Sequence, residues 1–440
     1  MAFPAYRTLI ASATLMSFGV MGQVVARGWL ARDLTGSNAG LGGVMMVFGG
    51  VMLILTPAGG MAADRYPRRA VLAVSLATMA VSSLLVAVPV IAGVIRYWML
   101  VLAAALQAAG HAFYLPARAS LIPELVEPAA VHNGLVLSQM SHELSRMVAP
   151  ALAGLMIGVT WFGLGGVFLA GAATSVMALV FATRLPQLPR RATSTASGLS
   201  DLASAVRYVR TTHKLGAVSL SAVGVILCGF PYLVLLPALA TDRFGAGPVE
   251  FGVMSGTAGL GALVAGMGGA SLEALVGPAA LVPASGTVAG ISVLALSIAG
   301  SLPVALGALL VIGASLMVFQ TSAQAYMMQL AEPAYHGRVQ SILVFGYSGA
   351  MLAAFPIGLL ADVLSLRDAL VVMGVGILLF VTPAMARGGG AHRPAVADRG
   401  DRQAGSRRGR SASARRASGR TTSPTPSICS SIWDGSTPGR

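Results

Sequence analysis

Charge is what this chain has least of. Of its 440 residues only 10% are Asp, Glu, Lys or Arg, and lysine occurs once, at Lys214. A soluble globular domain carries about 25% charged residues, so a water-exposed fold of this size is excluded. Cysteine is nearly absent as well: Cys228 falls in an apolar segment and Cys429 near the C-terminus, which argues against a disulfide framework and a thiol site. Catalytic and cofactor signatures are missing too. There is no Gly-x-x-x-x-Gly-Lys phosphate loop, no Cys or His spacing suited to a metal, and no Gly-x-Ser-x-Gly elbow. Gly259-Leu260-Gly261 sits inside an apolar run, where close helix packing explains it better than nucleotide binding. No enzyme, cofactor or metal is expected, and any uphill work must draw on an ion gradient.

What the chain does have is apolar length. From Tyr6 to Met385 it runs as segments of some 20 residues broken by short polar joints, with 55% hydrophobic residues and a mean hydropathy of +0.78. A hydrocarbon layer of about 30 Å takes about 20 residues at 1.5 Å each. The pattern predicts an all-α membrane protein of twelve helices. In the first half they span approximately 8–31, 39–62, 70–92, 98–118, 132–157 and 160–183; in the second, approximately 215–239, 248–272, 279–300, 302–325, 338–362 and 368–386. The first segment is too long for a leader and is read as a span. Arginines crowd the even joints: Arg65, Arg68 and Arg69 after the second helix, Arg118 after the fourth, and Arg184 to Lys214 after the sixth. Positive joints stay cytoplasmic, so both termini are expected there. The net charge of +14 is then a topology signal plus a basic tail, not a nucleic-acid surface. From Arg387 onward the chain turns rich in Gly, Ser, Arg and Pro and is expected to be a disordered, solvated tail without a specific task, whose basic residues can also touch anionic lipid.

The two halves repeat. Leu125-Val126-Glu127-Pro128-Ala129 before the fifth helix is echoed by Leu330-Ala331-Glu332-Pro333-Ala334 before the eleventh, an offset of about 205 residues. Each is followed by His and Gly, and then by a helix with a matching proline, Pro150 or Pro356. A duplicated six-helix unit in parallel orientation predicts two pseudo-symmetric bundles: residues 1–183 and 215–386, joined by a cytoplasmic linker over 184–214 containing an amphipathic helix, and followed by the tail 387–440.

Gly60-Met-Ala-Ala-Asp64-Arg65-Tyr66-Pro67-Arg68-Arg69 resembles the signature loop of the major facilitator superfamily. Asp33-Leu34-Thr35-Gly36-Ser37 and the linker around Asp201 to Arg210 resemble the branch containing the enterobactin exporter and macrolide efflux proteins. Pro67 departs from the usual Gly, and the second-half copy at Gly269 to Glu273 lacks the basic residues. The resemblance implies a secondary active transporter with an alternating-access cycle, most simply a proton-coupled antiporter in a bacterial inner membrane that effluxes small amphipathic molecules of drug or siderophore type. A nutrient importer, or a non-transporting sensor or assembly protein of the same fold, stays open. It also implies that Gly60, Asp64, Arg65, Arg68 and Arg69 form a cytoplasmic latch, although topology alone accounts for the arginines.

Charges are costly in the membrane interior, which singles out Glu143 and Arg146, three apart on the fifth helix, either as a substrate or proton site or as an internal ion pair. Pro150 and Gly154 on the same helix suit either a hinge or plain packing. Arg27 is expected to reach the outer headgroups, and His111 to be a bundle residue or a relay. If the first, fourth, seventh and tenth helices line a cavity, as in the family, then Gln23, Gln107, His111, Tyr232, Gln320 and Gln324 are its polar candidates.

Overall fold

The computed structural model describes residues 4–127, 131–159, 161–186, 207–209, 212–332 and 335–388. The tail and most of the linker lie outside these, as do the side chain of Glu143 and several others at the starts of the fifth and eleventh helices.

Among the described residues twelve long helical elements follow one another: α1 Pro4–Thr35, α2 Asn38–Arg65, α3 Arg68–Ile91, α4 Tyr97–Leu125, α5 Val131–Gly158, α6 Gly163–Thr183, α7 His213–Arg243, α8 Pro248–Val276, α9 Pro278–Ser297, α10 Leu302–Leu330, α11 His336–Val363 and α12 Leu366–Gly388. Eleven of these are long and apolar enough to cross a membrane. The exception is α5, whose polar run through His142, Glu143 and Arg146 lowers its hydropathy; it crosses the bundle against α1 and α8. Joints are built by local chemistry. Gly36 turns with φ of 66°, and Ser37 Oγ accepts from Gly40 N at 3.0 Å to start α2. Pro67 caps α3, its carbonyl accepting from Ala70 and Val71. Gly277, at φ of 83°, separates α8 from α9, and Pro278 opens the latter. The fourth and tenth helices run about two turns and about one and a half turns beyond their expected ends, to Leu125 and Leu330.

The fold is two copies of one packing scheme. In the first bundle α1 lies against α5 and α6, α3 against α4 and α6, and α2 against α4; in the second α7 lies against α11 and α12, α9 against α10 and α12, and α8 against α10. The bundles meet along α2 with α11 and along α5 with α8, again related by exchange of halves. Several hydroxyls bond to backbone across helices inside the first bundle, as hydrocarbon favours: Ser12 Oγ donates to Ala178 O at 2.8 Å, and Ser82 Oγ to Ala103 O at 2.7 Å.

Glycine sets the approach of helices within each copy. A Cβ on Gly313 of α10 would lie 1.8 Å from Ala258 O of α8, and one on Gly261 of α8 would lie 2.0 Å from Leu310 O. Such contact is helix packing, the role expected for Gly261. Gly313→Val therefore forces backbone apart inside one bundle. We expect it to cost 3 kcal/mol or somewhat more, given about 1–3 kcal/mol for ordinary overpacking, and to remove the monodisperse peak in detergent gel filtration. A melting curve like that of the wild type would refute the packing.

Candidate functional site: a cavity between the bundles

The α7 span is broken where it faces the other bundle. Its helix stops at Gly229, resumes over Tyr232–Ala238 and ends in a wide turn over Leu239–Arg243. Pro231 has no N–H to continue the ladder, and the break presents Phe230 and Tyr232 to a cavity of about 410 Å³. α1, α2 and α5 wall it on one side; α7, α8, α10 and α11 wall it on the other.

Its surface is mostly apolar and deformable, with Met21, Met45 and Met351 beside Phe251, Phe230 and Tyr347. Polar groups are few: Arg146 and His142 from α5, Ser255 from α8 and Gln320 from α10. The guanidinium of Arg146 reaches across the seam, its Cζ 6.0 Å from the centre of the Phe230 ring. Phe230 in turn meets Tyr347 edge to face, centroids 5.2 Å apart. The arrangement suits a molecule with a broad apolar body and acceptor atoms near one cation.

The cavity is sealed at one end. We call the end carrying Arg65 to Arg69, Arg118 and Arg184 the basic face. At the opposite face Gly42 would place a Cβ 2.6 Å from Ala354 O, Gly154 one 2.8 Å from Gly252 Cα, and Gly358 one 2.6 Å from Asn38 O. Charged groups tie the same end. Arg32 Nη2 donates to both Asp242 oxygens at 2.6 Å, and Arg32 Nη1 to Asn38 Oδ1 at 3.1 Å. Asp362, at the end of α11, accepts from Asn38 N at 2.9 Å, Asn38 Nδ2 at 2.7 Å and Ala39 N at 2.8 Å. Its carboxylate thus caps α2, a helix of the other bundle. On the side of the basic face, a Cβ on Gly60, Gly268 or Gly269 would meet nothing within 4 Å among the described residues.

The residues singled out in the sequence divide between these regions. Tyr232 and Gln320 line the cavity with Arg146 and Pro150; Gln324, one turn along α10, does not. Gln23, Gln107 and His111 lie inside the first bundle. Gln23 Nε2 donates to Ser83 Oγ at 2.9 Å, and His111 stands edge-on to Phe48 at 5.9 Å. α4 contributes nothing to the described lining, because it packs behind α2 and α3. Arg27 does not reach the headgroups. It is buried, tied to Gln23, because its face of α1 also carries Val20 and Leu30 and turns into the bundle. Pro150 and Gly154 sit on the α5–α8 seam within an unbroken helix, Gly154 against Pro248 and Gly252. The side chain of Glu143 lies outside the described residues.

At the basic face Arg68 pairs with Glu124 and donates to Ser120 O, while Arg69 donates to Leu185 O at 3.0 Å. Both therefore brace α3 against α4 and the end of α6. Asp64 and Arg65 are exposed at the end of α2. Sequence reasoning did not single out Arg32, Asn38, Asp242 or Asp362. Yet a signal existed: Gly358-Leu-Leu-Ala-Asp362 at the end of α11 repeats Gly60-Met-Ala-Ala-Asp64 at the end of α2.

Two six-helix bundles around a cavity tightly closed at one face define a multi-pass membrane transporter. The chain belongs to the transmembrane secretion effector family of the major facilitator superfamily, whose model matches residues 1–387. It is similar to macrolide efflux protein A of Streptococcus pyogenes, 24% identical over 71% of this chain and 76% of that one. It is equally similar to macrolide efflux protein A of Enterococcus faecalis, 24% identical over 70% and 94% of the two chains. Among solved structures, a bacterial homologue of the human lysosomal transporter Spinster, inward-facing and unoccupied, superposes with a TM-score of 0.73 at 15% identity, covering 87% of this chain and 96% of that one. A POT family transporter in complex with 5-aminolevulinic acid gives 0.73 at 12%, covering 89% and 97%. These structures share its fold.

Proposed function

We propose that the chain exports small amphipathic molecules, of drug or siderophore type, from a bacterial cytoplasm across the inner membrane, driven by the proton gradient through alternating access. In this reading both termini and the basic face are cytoplasmic, and the tightly closed face is external. The observation that carries it is the cavity: methionine and aromatic walls with one guanidinium fit a bulky amphiphile better than a small hydrophilic nutrient. Macrolide efflux relatives in two organisms support the direction. In this reading Gly60, Asp64, Arg65, Arg68 and Arg69 act as a latch at the basic face that holds one state of the cycle.

Cells that express the chain should retain less macrolide and less of a panel of hydrophobic fluorescent dyes than empty cells, and a protonophore should restore retention. Arg146→Met should cut export at least tenfold, the effect of removing about 1.4 kcal/mol of binding, while surface expression stays unchanged. Asp64→Asn should slow export by impairing closure of the basic face. Retention equal to that of empty cells across the panel would overturn the proposal, and accumulation above empty cells would replace it with import.

A further inference from the structure

Uphill export driven by protons needs a group that gains and loses a proton near neutral pH, borders the substrate's space and alters the substrate's hold as it titrates. Among the described residues lining the central cavity, His142 alone meets these terms. Arg146 stays charged throughout, Tyr232 and Tyr347 carry phenols, which ordinarily titrate at about pH 10, and Gln320 and Ser255 do not titrate. His111 is an imidazole too, but it stands against Phe48 and Tyr114 and is not part of the lining.

His142 sits at a junction of helices. It is half-buried on α5, its Nδ1 3.4 Å from Oγ of the buried Ser17 on α1, and Arg146 follows one turn along the same wall. α4 brings His111, near enough for the two imidazoles to act on each other's charge, with Tyr114 and Arg118; Arg118 donates to Ser138, one turn before His142. On α1, Arg7 and Arg27 lie ten residues, about 15 Å, to either side of Ser17. α8 keeps Glu250 and Glu273 in its first and last turns, α6 has no titratable residue, and α7 and α11 face the cavity with Tyr232 and Tyr347. Glu143 is next in the chain, its side chain outside the described residues.

We propose that His142 carries the coupled proton and that Ser17 positions its ring, so that proton and substrate compete for one imidazole nitrogen. This rests on the reading of the chain as a proton-driven exporter. A neutral imidazole bears an N–H on one nitrogen and a lone pair on the other. With Nδ1–H donated to Ser17 Oγ, Nε2 offers its lone pair to an O–H or N–H of the substrate. A proton added to Nε2 takes that lone pair, turns the acceptor into a donor and places a second positive charge one turn from Arg146. Protonation from outside therefore discharges a substrate that carries a donor group. A new substrate from the cytoplasm takes the lone pair as the proton leaves to cytoplasmic water. One N–H bond forms on one side of the membrane and breaks on the other, no electrons are exchanged, and one proton moves inward for each molecule exported. The substrate class narrows accordingly: an apolar body with an acceptor for Arg146 and a donor for His142.

The test is proton release by the purified full chain in weakly buffered detergent, with rhodamine 6G as the probe, a dye of fixed charge that carries N–H donors. Binding of the dye to the wild type should release up to one proton per molecule, and its apparent affinity should fall by as much as about tenfold per pH unit on the acid side of the midpoint. His142→Gln should release none and bind with an affinity independent of pH between about 5.5 and 8. Ser17→Ala leaves the imidazole in place and should move the wild-type profile toward acid by about half a unit, because a charge-assisted hydrogen bond is about twice as strong as a neutral one. Undiminished release by His142→Gln overturns the assignment, and release lost in Glu143→Gln but kept in His142→Gln moves the proton to Glu143. If His142→Gln yields no folded protein, the Ser17→Ala profile decides, and coincidence with the wild type overturns the assignment. Proteoliposomes separate this from the export reading. Dye movement by the wild type that follows an imposed pH gradient, and follows it equally in His142→Gln, sinks His142 alone; no gradient-driven movement by the wild type sinks proton-driven export and His142 with it.

Discussion

Gly358→Leu should abolish export while leaving a folded, membrane-inserted protein. Gly358 lies on the α2–α11 seam, and a Cβ there would stand 2.6 Å from Asn38 O and 2.9 Å from Asn38 C. Those are backbone atoms of the other bundle, so no side chain can swing aside to make room. The seam cannot shut at the opposite face, and Arg32 and Asp362 cannot hold their partners there. Each bundle keeps its own core, however, because Gly358 packs against neither α7 nor α12 at this contact. Gly313→Val differs in that it strikes inside one bundle, where folding itself is lost. The discriminating measurement pairs transport with labelling of Ala39→Cys by a membrane-impermeant maleimide, in a Cys228→Ser, Cys429→Ser background. Transport at background with labelling raised about tenfold or more, the effect of about 1.4 kcal/mol against the closed state, supports the seam. Export by Gly358→Leu at the wild-type rate would sink it.

The opposite fates of these two glycines mark what the sequence makes legible. Apolar length and joint charge located all twelve helices, since hydrocarbon thickness imposes one length on every span. The duplication around Glu127 and Glu332 foretold the paired bundles, because a parallel repeat relates equivalent helices in the same order. Side-chain direction was harder. Gln23, Gln107 and His111 are polar in apolar helices, and polarity alone suggests a wet cavity; instead they hydrogen-bond or stack within the first bundle. Rotation about the helix axis decides this, and in spans that are apolar nearly all round the hydrophobic pattern fixes rotation only weakly. Arg27 misleads for the same reason, its place near one end of α1 suggesting headgroups when its face turns inward. Asp362 escaped because halves were compared in parallel. Its likeness to Asp64 relates α2 to α11, antiparallel neighbours whose C-terminal ends each lie beside the other's N-terminus.

That antiparallel likeness has its largest consequence at the outer tie. Asp362 accepts three hydrogen bonds from the start of α2, and Arg32 clasps Asp242 while also holding Asn38. Asn38 is thus the shared member of a chain running from α7 through α1 and α2 to α11. Hydrogen bonds to a charged group are worth about 1.5–3 kcal/mol each, reduced where solvent enters, and Asp242 is 55% exposed. Asp362→Ala removes the capped end and should shift the balance between closed and open outer faces by about tenfold, a change of about 1.4 kcal/mol. Arg32→Ala alone should shift it less, because its ion pair is wetter. Since both act through Asn38, the double variant should fall short of the sum, with a coupling of about 0.5 kcal/mol or more. The same Ala39→Cys labelling reads this population. Export should slow in Asp362→Ala because the cavity spends less time open at the basic face, where substrate enters under the proposed function. Asp64→Asn weakens the corresponding contact at the other end and should restore part of that balance when combined with Asp362→Ala. Additive loss in the Asp64→Asn, Asp362→Ala pair would mean that the two aspartates do not oppose each other across the cycle.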